Sequence, residues 1–211
     1  MKKAMFTYME EYKAILQKYI PEAATPQVYQ WLQEYHIHLK ISRKRSSKLG
    51  DYRSPHKDKG HQITVNHDLN PYSFLITLIH EIAHMLVWDK YRNRVRAHGK
   101  EWKETYRELM VPFFDMDIFP EDIDSALTNY LSKSYASSGS DLNLGRTLQK
   151  YDSDPGLTLE NIPEDSVFSL PNGMAFKKGT LNRKRYRCTR IDNNKVYRVS
   201  ALIRVELLES P

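Results

Sequence analysis

Apolar and polar residues alternate with two different periods in the first third of the chain. Apolar residues recur at helical spacing over residues 3–20, and a second helix is predicted from Thr25, with a proline in its first turn. In "HIHLKIS" (36–42) and "HQITVNH" (61–67) they alternate with polar residues, as in half-buried strands. The stretch 46–60 between them is rich in turn residues, and it predicts only a bend from one strand into the next.

A long helix is predicted from Pro71 to about Tyr91. Asn70 before it is a favoured N-cap residue, and proline suits the first helical position. Helical spacing returns over residues 100–110 and over residues 120–135. This order of elements predicts an α+β fold in which helices pack on a short antiparallel sheet.

The remainder of the chain has a different composition. Residues 136–164 are rich in Ser, Gly, Asp and Pro, which predicts a linker or a loosely packed arm. After it, short β-type runs alternate with Asn-Gly and Asp-Asn-Asn turn signals. We therefore expect a first domain over residues 1–135, the linker or arm over 136–164, and a small all-β unit over 165–211.

The composition limits the cellular setting and the partners. The single cysteine, Cys188, permits no intramolecular disulfide and excludes a cysteine-based zinc knuckle. A reducing cytoplasm is therefore the expected compartment. No apolar run approaches the roughly 18 residues that are needed to cross a bilayer, so no membrane partner is expected.

The positive charge is concentrated at the C-terminal end. The net charge is +6; residues 165–211 carry 10 Lys+Arg against 4 Asp+Glu, and the rest of the chain carries 22 of each. Charge of one sign on a small segment attracts polyanions such as nucleic acid. A solvated basic face without a partner explains the same count.

The segment "HEIAHMLVW", residues 80–88, carries the clearest chemical signal. On a helix, His80 and His84 lie on one face and roughly 6 Å apart along the axis, so their imidazoles can share one zinc ion. Glu81 stands beside the first of them, where its carboxylate can accept a proton from an attacking water. Metalloproteases use this His-Glu-x-x-His pattern.

A buried helix whose histidines only satisfy hydrogen bonds is the competing interpretation. The apolar residues of the helix form a separate stripe, at Leu75, Leu78, Ile79, Ile82 and Leu86. The two histidines fall on a polar side together with Ser73 and Thr77. This division favours a metal site that faces a cleft.

Two kinds of side chain are candidates for a third ligand. The metzincin pattern is excluded, because Val87 and Lys90 stand where it requires a glycine and a histidine. Glu104, with Glu108 one turn later, has about the spacing of a thermolysin-like ligand, whereas His98 precedes the next helix and is free to turn inward. Imidazole chemistry favours His98, and Glu104 can instead pair with a neighbouring cation on its helix.

Several motifs in order resemble the SprT-like metallopeptidases, the group that includes the eukaryotic Spartan proteases. "LITLIHEIAHMLVW" is followed by "AHGKEWKETYREL", where His98, Gly99 and Trp102 match the His-Gly-aromatic opening of that family's next helix. "ISRKRSSKLGDYR" and "HQITVNHDLN" resemble the hairpin before the catalytic helix, with Gly50 at its bend. The resemblance covers about residues 10–112.

The resemblance implies a zincin-like metalloprotease domain and an endopeptidase activity. It implies one zinc ion bound by His80, His84 and His98, with Glu81 as the catalytic base. A protein or peptide substrate is expected to lie along "HQITVNH" by β-augmentation.

The C-terminal segment departs from the family. Many members carry a four-cysteine zinc ribbon there, and this chain has only Cys188, so we expect a metal-free unit with the rhythm of a degenerate ribbon. Spartan relatives degrade proteins crosslinked to DNA, which makes DNA a candidate partner and DNA-associated proteins candidate substrates. The expected DNA contacts are basic residues of this segment: Lys177, Lys178, Arg183, Lys184, Arg185, Arg187 and Arg190.

Two other functional classes fit the same residues. One is a nucleic-acid-binding protein in which the metal site is structural or silent. The other is a metal-dependent hydrolase that acts on a non-peptide bond.

Overall fold

A computed structural model describes residues 11–45, 48–132 and 141–208. The chain divides into two compact units, Met1–Ser138 and Gly139–Pro211. The first combines helices with a three-stranded sheet and the second contains a five-stranded sheet, which confirms the predicted α+β class. None of the helices in the described part of the chain is long and apolar enough to cross a membrane.

The helices of the first unit follow the predicted order. Residues 11–16 are helical (α1), and a 3-10 turn, Glu22–Ala24, leads into the next helix. The remaining helices are α2 (Thr25–Glu34), α3 (Pro71–Tyr91), α4 (Lys100–Asp115) and α5 (Glu121–Ser132). The helices predicted from Thr25 and Pro71 are confirmed, and α4 runs five residues beyond its predicted end. Residues 3–10 and 133–135 of the predicted helices lie outside the described residues.

Helix α3 is the centre of the first unit. The Asn70 side chain caps it by accepting a hydrogen bond from the Ser73 backbone N–H at 2.9 Å, which satisfies one of the free donors of the first turn. The predicted apolar stripe is buried except at Leu86, which is half-buried, and most of the polar side is buried too, including Thr77 and His80. The helix is therefore surrounded on both sides, and its polar side chains lie in the interior.

The sheet of the first unit is mixed, not antiparallel as predicted. Its strands are β1 (His38–Ser42), β2 (Gly50–Arg53) and β3 (Gln62–Asn66), in the order β1-β3-β2. Strand β3 pairs parallel with β1 and antiparallel with β2. A parallel pair needs a long connection, and here that connection contains a strand of its own. Alternating apolar residues cannot report strand direction, so the pattern did not reveal this topology.

Strand β2 was missed in the sequence because Gly50, Asp51 and Arg53 are poor strand formers. Gly50 is the first residue of this strand, opposite Val65 of β3, and not at a bend as expected. The turn-rich stretch therefore places an edge strand beside α3.

The second unit is an antiparallel sheet with a short helical lead. Its elements are α6 (Leu142–Gln149), a 3-10 turn at Leu159–Asn161, β4 (Val167–Ser169), β5 (Ala175–Asn182), β6 (Arg185–Arg190), β7 (Val196–Ser200) and β8 (Glu206–Leu207). The strand order is β7-β6-β5-β4-β8. The all-β prediction is confirmed for this sheet.

Residues 141–164 are folded, which differs from the linker or loose arm expected over 136–164. Asp141 caps α6 by accepting a hydrogen bond from the Leu144 backbone N–H at 2.9 Å. Leu144 and Leu159 are fully buried and Ile162 is nearly so. A few well-spaced apolar residues suffice to order the segment despite its polar composition. Residues 136–140 lie outside the described residues.

Lys178 is buried in the second unit, which corrects its assignment as a DNA contact. Its side chain is only 4% exposed, and Nζ donates a hydrogen bond to the Ile162 carbonyl at 2.6 Å. The ammonium also lies 4.1 Å from the centre of the Tyr186 ring. Beside it, Cys188 is buried as predicted, and burial raises the pKa of its thiol. Lys178 therefore joins the 3-10 segment to the sheet.

Replacing Lys178 by Met is expected to destabilise the second unit by about 1–3 kcal/mol, because a buried carbonyl loses its donor. Amide hydrogen exchange in β5 and β6 measures the change. Lys177→Met is the matched control, since its exposed ammonium pairs with exposed Asp165 at 2.9 Å. Equal protection in the two variants would contradict a structural role for Lys178.

Candidate metal centre

Three histidine nitrogens converge on one point in the first unit. The Nε2 atoms are 3.2 Å apart between His80 and His84, 2.9 Å between His84 and His98, and 3.1 Å between His80 and His98. Among the described residues these three form a group that could hold a metal ion. The structure thus brings together the three histidines that the sequence selected.

The backbone explains how a loop residue reaches the helix. His80 and His84 lie one turn apart on α3, whereas His98 stands just before α4, whose N-cap is Gly99. His98 has a φ of 58°, in the left-handed region that residues other than glycine rarely adopt. This conformation accompanies the turn of its imidazole toward α3, and strain of this kind is typical of functional sites.

Trp102 supports all three imidazoles. It lies in the first turns of α4, is 1% exposed, and its ring centre is 4.6 Å from that of His80, 5.4 Å from His84 and 4.7 Å from His98. Its other side is stacked on Tyr106 at 4.9 Å. The sequence marked Trp102 only as a family motif residue; its four-residue spacing from His98 is the signal for this contact.

The three imidazoles are electrically neutral near pH 7. Burial, with the neighbouring histidines, lowers the pKa of His80 to about 3. Burial and His98 lower the pKa of His84 to about 4, and burial and Lys103 lower the pKa of His98. Unprotonated nitrogens are what metal binding requires. The other ring nitrogen of His80, Nδ1, is buried and has no hydrogen-bond partner in the described part of the chain.

The Glu81 side chain projects from α3 and packs against the edge strand β2. It is 7% exposed, and burial, followed by the charge of Asp51, raises the pKa of its carboxyl to about 7. A backbone hydrogen bond from Tyr52 and the charges of Lys48 and Arg45 act in the opposite direction. The carboxylate is thus buried, follows His80 directly in the chain, and is held by a backbone donor.

A polar network that the sequence did not reveal lies behind Glu81. Asp51 binds Arg45 and lies 3.4 Å from the Lys48 ammonium. Asn66, 1% exposed, accepts a hydrogen bond from Arg45 Nε at 2.7 Å and donates one to the Lys48 carbonyl at 3.0 Å. These residues have no motif spacing, because they come together only through the pairing of β2 with β3.

The alternative carboxylate ligands lie outside the histidine cluster. Glu104 is exposed on α4, and its carboxylate is 3.8 Å from the Lys100 ammonium, as expected for a surface pair. Glu108 is exposed as well.

The basic residues predicted to contact DNA belong to the second unit and have different environments. Arg190 pairs with Asp192 at 2.6 Å, and Lys177 pairs with Asp165. Arg183 and Lys184 lie in the turn between β5 and β6. The remaining two, Arg185 and Arg187, are exposed on β6 and face β7 across the ladder, where Arg187 lies opposite Arg198. Arg198 was missed, because its approach to β6 depends on the strand register.

Comparison with protein families matches residues 17–120 to the SprT-like family. The chain belongs to this family through its first unit. The matched region includes the three clustered histidines and Glu81, and it ends before the second unit. No significant match is found among curated proteins or among solved structures. The family membership predicted from the motifs is confirmed, and the likeness of the second unit to a zinc ribbon stays a prediction.

We expect His98→Ala to lose bound metal, because only two of three converging nitrogens remain. Metal analysis after dialysis measures the loss. Glu104→Ala serves as the control and is expected to retain the metal of the unmodified protein. Loss of metal from the Glu104 variant, with retention by the His98 variant, would show that the ligand set is wrong.

Proposed function

We propose that the first unit is a zinc-dependent endopeptidase. The observation that carries this proposal is the convergence of three neutral imidazole nitrogens at the helix that also carries the buried Glu81 carboxylate. In a tetrahedral zinc site, with bonds of about 2.0–2.1 Å, ligand nitrogens lie about 3.3–3.4 Å apart. The separations of 2.9–3.2 Å here are close to that value. Three protein ligands leave the fourth position for water or substrate, as in catalytic zinc sites.

The residues of this chain divide the chemistry between them. Zinc, when bound by His80, His84 and His98, supplies a lowered pKa for water and polarisation of the scissile carbonyl. The Glu81 carboxylate accepts a proton from the attacking water and donates it to the leaving amide nitrogen. The bond between the water oxygen and the carbonyl carbon forms first, and the carbon–nitrogen bond breaks after the nitrogen has taken the proton from Glu81.

The sheet topology changes the expected position of the substrate. Strand β3, which contains most of "HQITVNH", has β1 on one side and β2 on the other, so it has no free edge for a substrate strand. The expectation of pairing along β3 is therefore wrong. Strand β2 is an edge strand, and its Tyr52 backbone N–H already reaches Glu81. We propose that an extended peptide substrate lies along β2.

The histidine cluster alone does not select peptide bonds over other substrates. Membership of the SprT-like family supports the peptidase over a hydrolase of non-peptide bonds. The burial of Glu81 supports a catalytic site over a silent one, because a buried carboxylate costs stability even when one backbone N–H donates to it.

Glu81→Gln is expected to retain zinc and to lose proteolysis of casein or histone by about 10²–10⁴-fold, since the amide cannot transfer the proton. Zinc content and the cleavage rate are measured on the same preparation. Unchanged cleavage would show that Glu81 is not the base. If the unmodified protein cleaves no protein with or without DNA, the peptidase proposal fails.

We further propose that DNA-associated proteins are the substrates and that the second unit contacts the DNA. Cys188 and Val199 point into the core of the second unit, and residues alternate between faces along a strand. Arg185, Arg187 and Arg198 therefore share the opposite, exposed face. None of them has an ion pair within residues 11–45, 48–132 and 141–208. Like charges directly opposite each other destabilise a sheet, and bound phosphates would relieve this repulsion.

The double variant Arg187→Ser/Arg198→Ser is expected to weaken binding of single-stranded DNA and to lower the salt slope of log K by about 0.7 per lost phosphate contact. Fluorescence anisotropy against salt concentration measures both. Lys177→Ser/Arg190→Ser removes the same charge from residues that already have acidic partners, and it is expected to retain most of the slope. Equal losses in the two variants would favour a diffuse charge effect over this surface.

A further inference from the structure

The backbone of β2 packs directly on Glu81. A Cβ atom at Gly50 would lie 3.0 Å from both Cγ and Oε1 of Glu81, and 2.7 Å from Cγ2 of Thr77. Such distances are shorter than ordinary van der Waals contacts, so no side chain fits at residue 50 without movement of α3 side chains. Two residues further along the strand, the Tyr52 backbone N–H donates to the Glu81 carboxylate. Strand β2 thus contacts the carboxylate at two points.

The beginning of β2 is held by the Asn66 network. The Asn66 backbone N–H donates to the Leu49 carbonyl at 2.9 Å, and its side chain donates to the Lys48 carbonyl. Asp51 binds Arg45, which also reaches Asn66. These bonds fix the residues that precede and follow Gly50 relative to the central strand.

The other end of β2 is held by an aromatic cluster. The Tyr52 hydroxyl lies 3.0 Å from His61 Nδ1, and the two rings are stacked at 5.9 Å. The His61 ring meets the Trp88 ring of α3 at 5.8 Å. Trp88 lies one turn beyond His84 on α3. The Tyr52 backbone is therefore anchored to the same helix that carries Glu81.

We infer that β2 is a positioning strand for the Glu81 carboxylate and that Gly50 is a positioning residue, since only a residue without a side chain allows the strand to approach. The inference rests on the proposed role of Glu81 as the general base. It assigns a functional reason to a turn-rich stretch that has no catalytic residue of its own. A displacement of about 1 Å at a reacting group can cost roughly 100-fold in rate.

Gly50→Ala is expected to lower kcat by about 10–100-fold with KM and zinc content nearly unchanged, because the Cβ displaces the Glu81 carboxylate and leaves the histidines in place. Gly60→Ala is the matched control. A Cβ there meets only the His36 carbonyl at 3.8 Å, an ordinary contact, so its kcat should stay within about twofold. An unchanged kcat in the Gly50 variant would overturn the inference.

The contact with Thr77 has to be separated from the contact with Glu81. Thr77→Ser removes the Cγ2 atom, which is the atom closest to the added Cβ. In Gly50→Ala/Thr77→Ser the melting temperature is expected to recover toward that of Thr77→Ser, while kcat stays low because the two contacts with Glu81 remain. Full recovery of kcat would mean that Gly50 acts only through its fit against Thr77, and would overturn the inference.

A measurement without substrate separates this inference from the proposed function. In ¹⁵N-tyrosine spectra, the Tyr52 amide signal should shift in Glu81→Gln, which identifies the hydrogen bond, and should shift in Gly50→Ala but not in Gly60→Ala. An unshifted Tyr52 amide in Gly50→Ala would overturn the positioning role even if the protein is an active peptidase. A shifted amide in a protein that cleaves no substrate would support the positioning contact while the peptidase proposal fails.

Discussion

The first unit depends on three imidazole nitrogens that meet at one point in its interior. Burial keeps the rings uncharged, and the Trp102 indole packs against all of them, so the group is held as one cluster. Two of the rings, those of His80 and His84, are brought together by one regular turn of α3. The third requires a residue in the left-handed conformation immediately before α4. The long central helix, the short loop after it and the start of α4 are all arranged around this convergence.

Glu81 lies on the same helix and packs against strand β2 of the sheet. A carboxylate that is buried on the same helix as two of the histidines needs a polar neighbour that takes little space. The backbone of an edge strand meets this need, because its N–H groups are not all used by the sheet. The negative charge of Asp51 raises the pKa of the Glu81 carboxyl, and the positive charges of Lys48 and Arg45 lower it. The candidate metal centre is therefore an assembly of helix, loop and strand.

The second unit shows why a charge count is a poor guide to a surface. Of the basic residues counted there, Lys178 is part of the core, and Lys177 and Arg190 have acidic partners. Arg198 is an exposed cation that has no acidic partner in the described part of the chain, and only the register of β6 and β7 places it beside Arg187. In the same way, the polar composition of residues 141–164 concealed the buried apolar residues that order this segment, Leu144, Leu159 and Ile162. A count of residue types cannot distinguish side chains that are buried, paired with an acid or exposed, because the fold decides which environment each one has.

The sequence by itself determined the main helices of the first unit, the family, and His80, Glu81 and His84 as one motif, because these depend on spacing along a single helix and on short motifs. Only the tertiary structure placed His98, and not Glu104, against His80 and His84, revealed the mixed sheet, and placed Gly50 against Glu81. The physical reason is the range of the interactions. Helical periodicity and capping act within a few residues, whereas strand order, register and the close approach of a backbone to a side chain depend on segments that are distant in the chain.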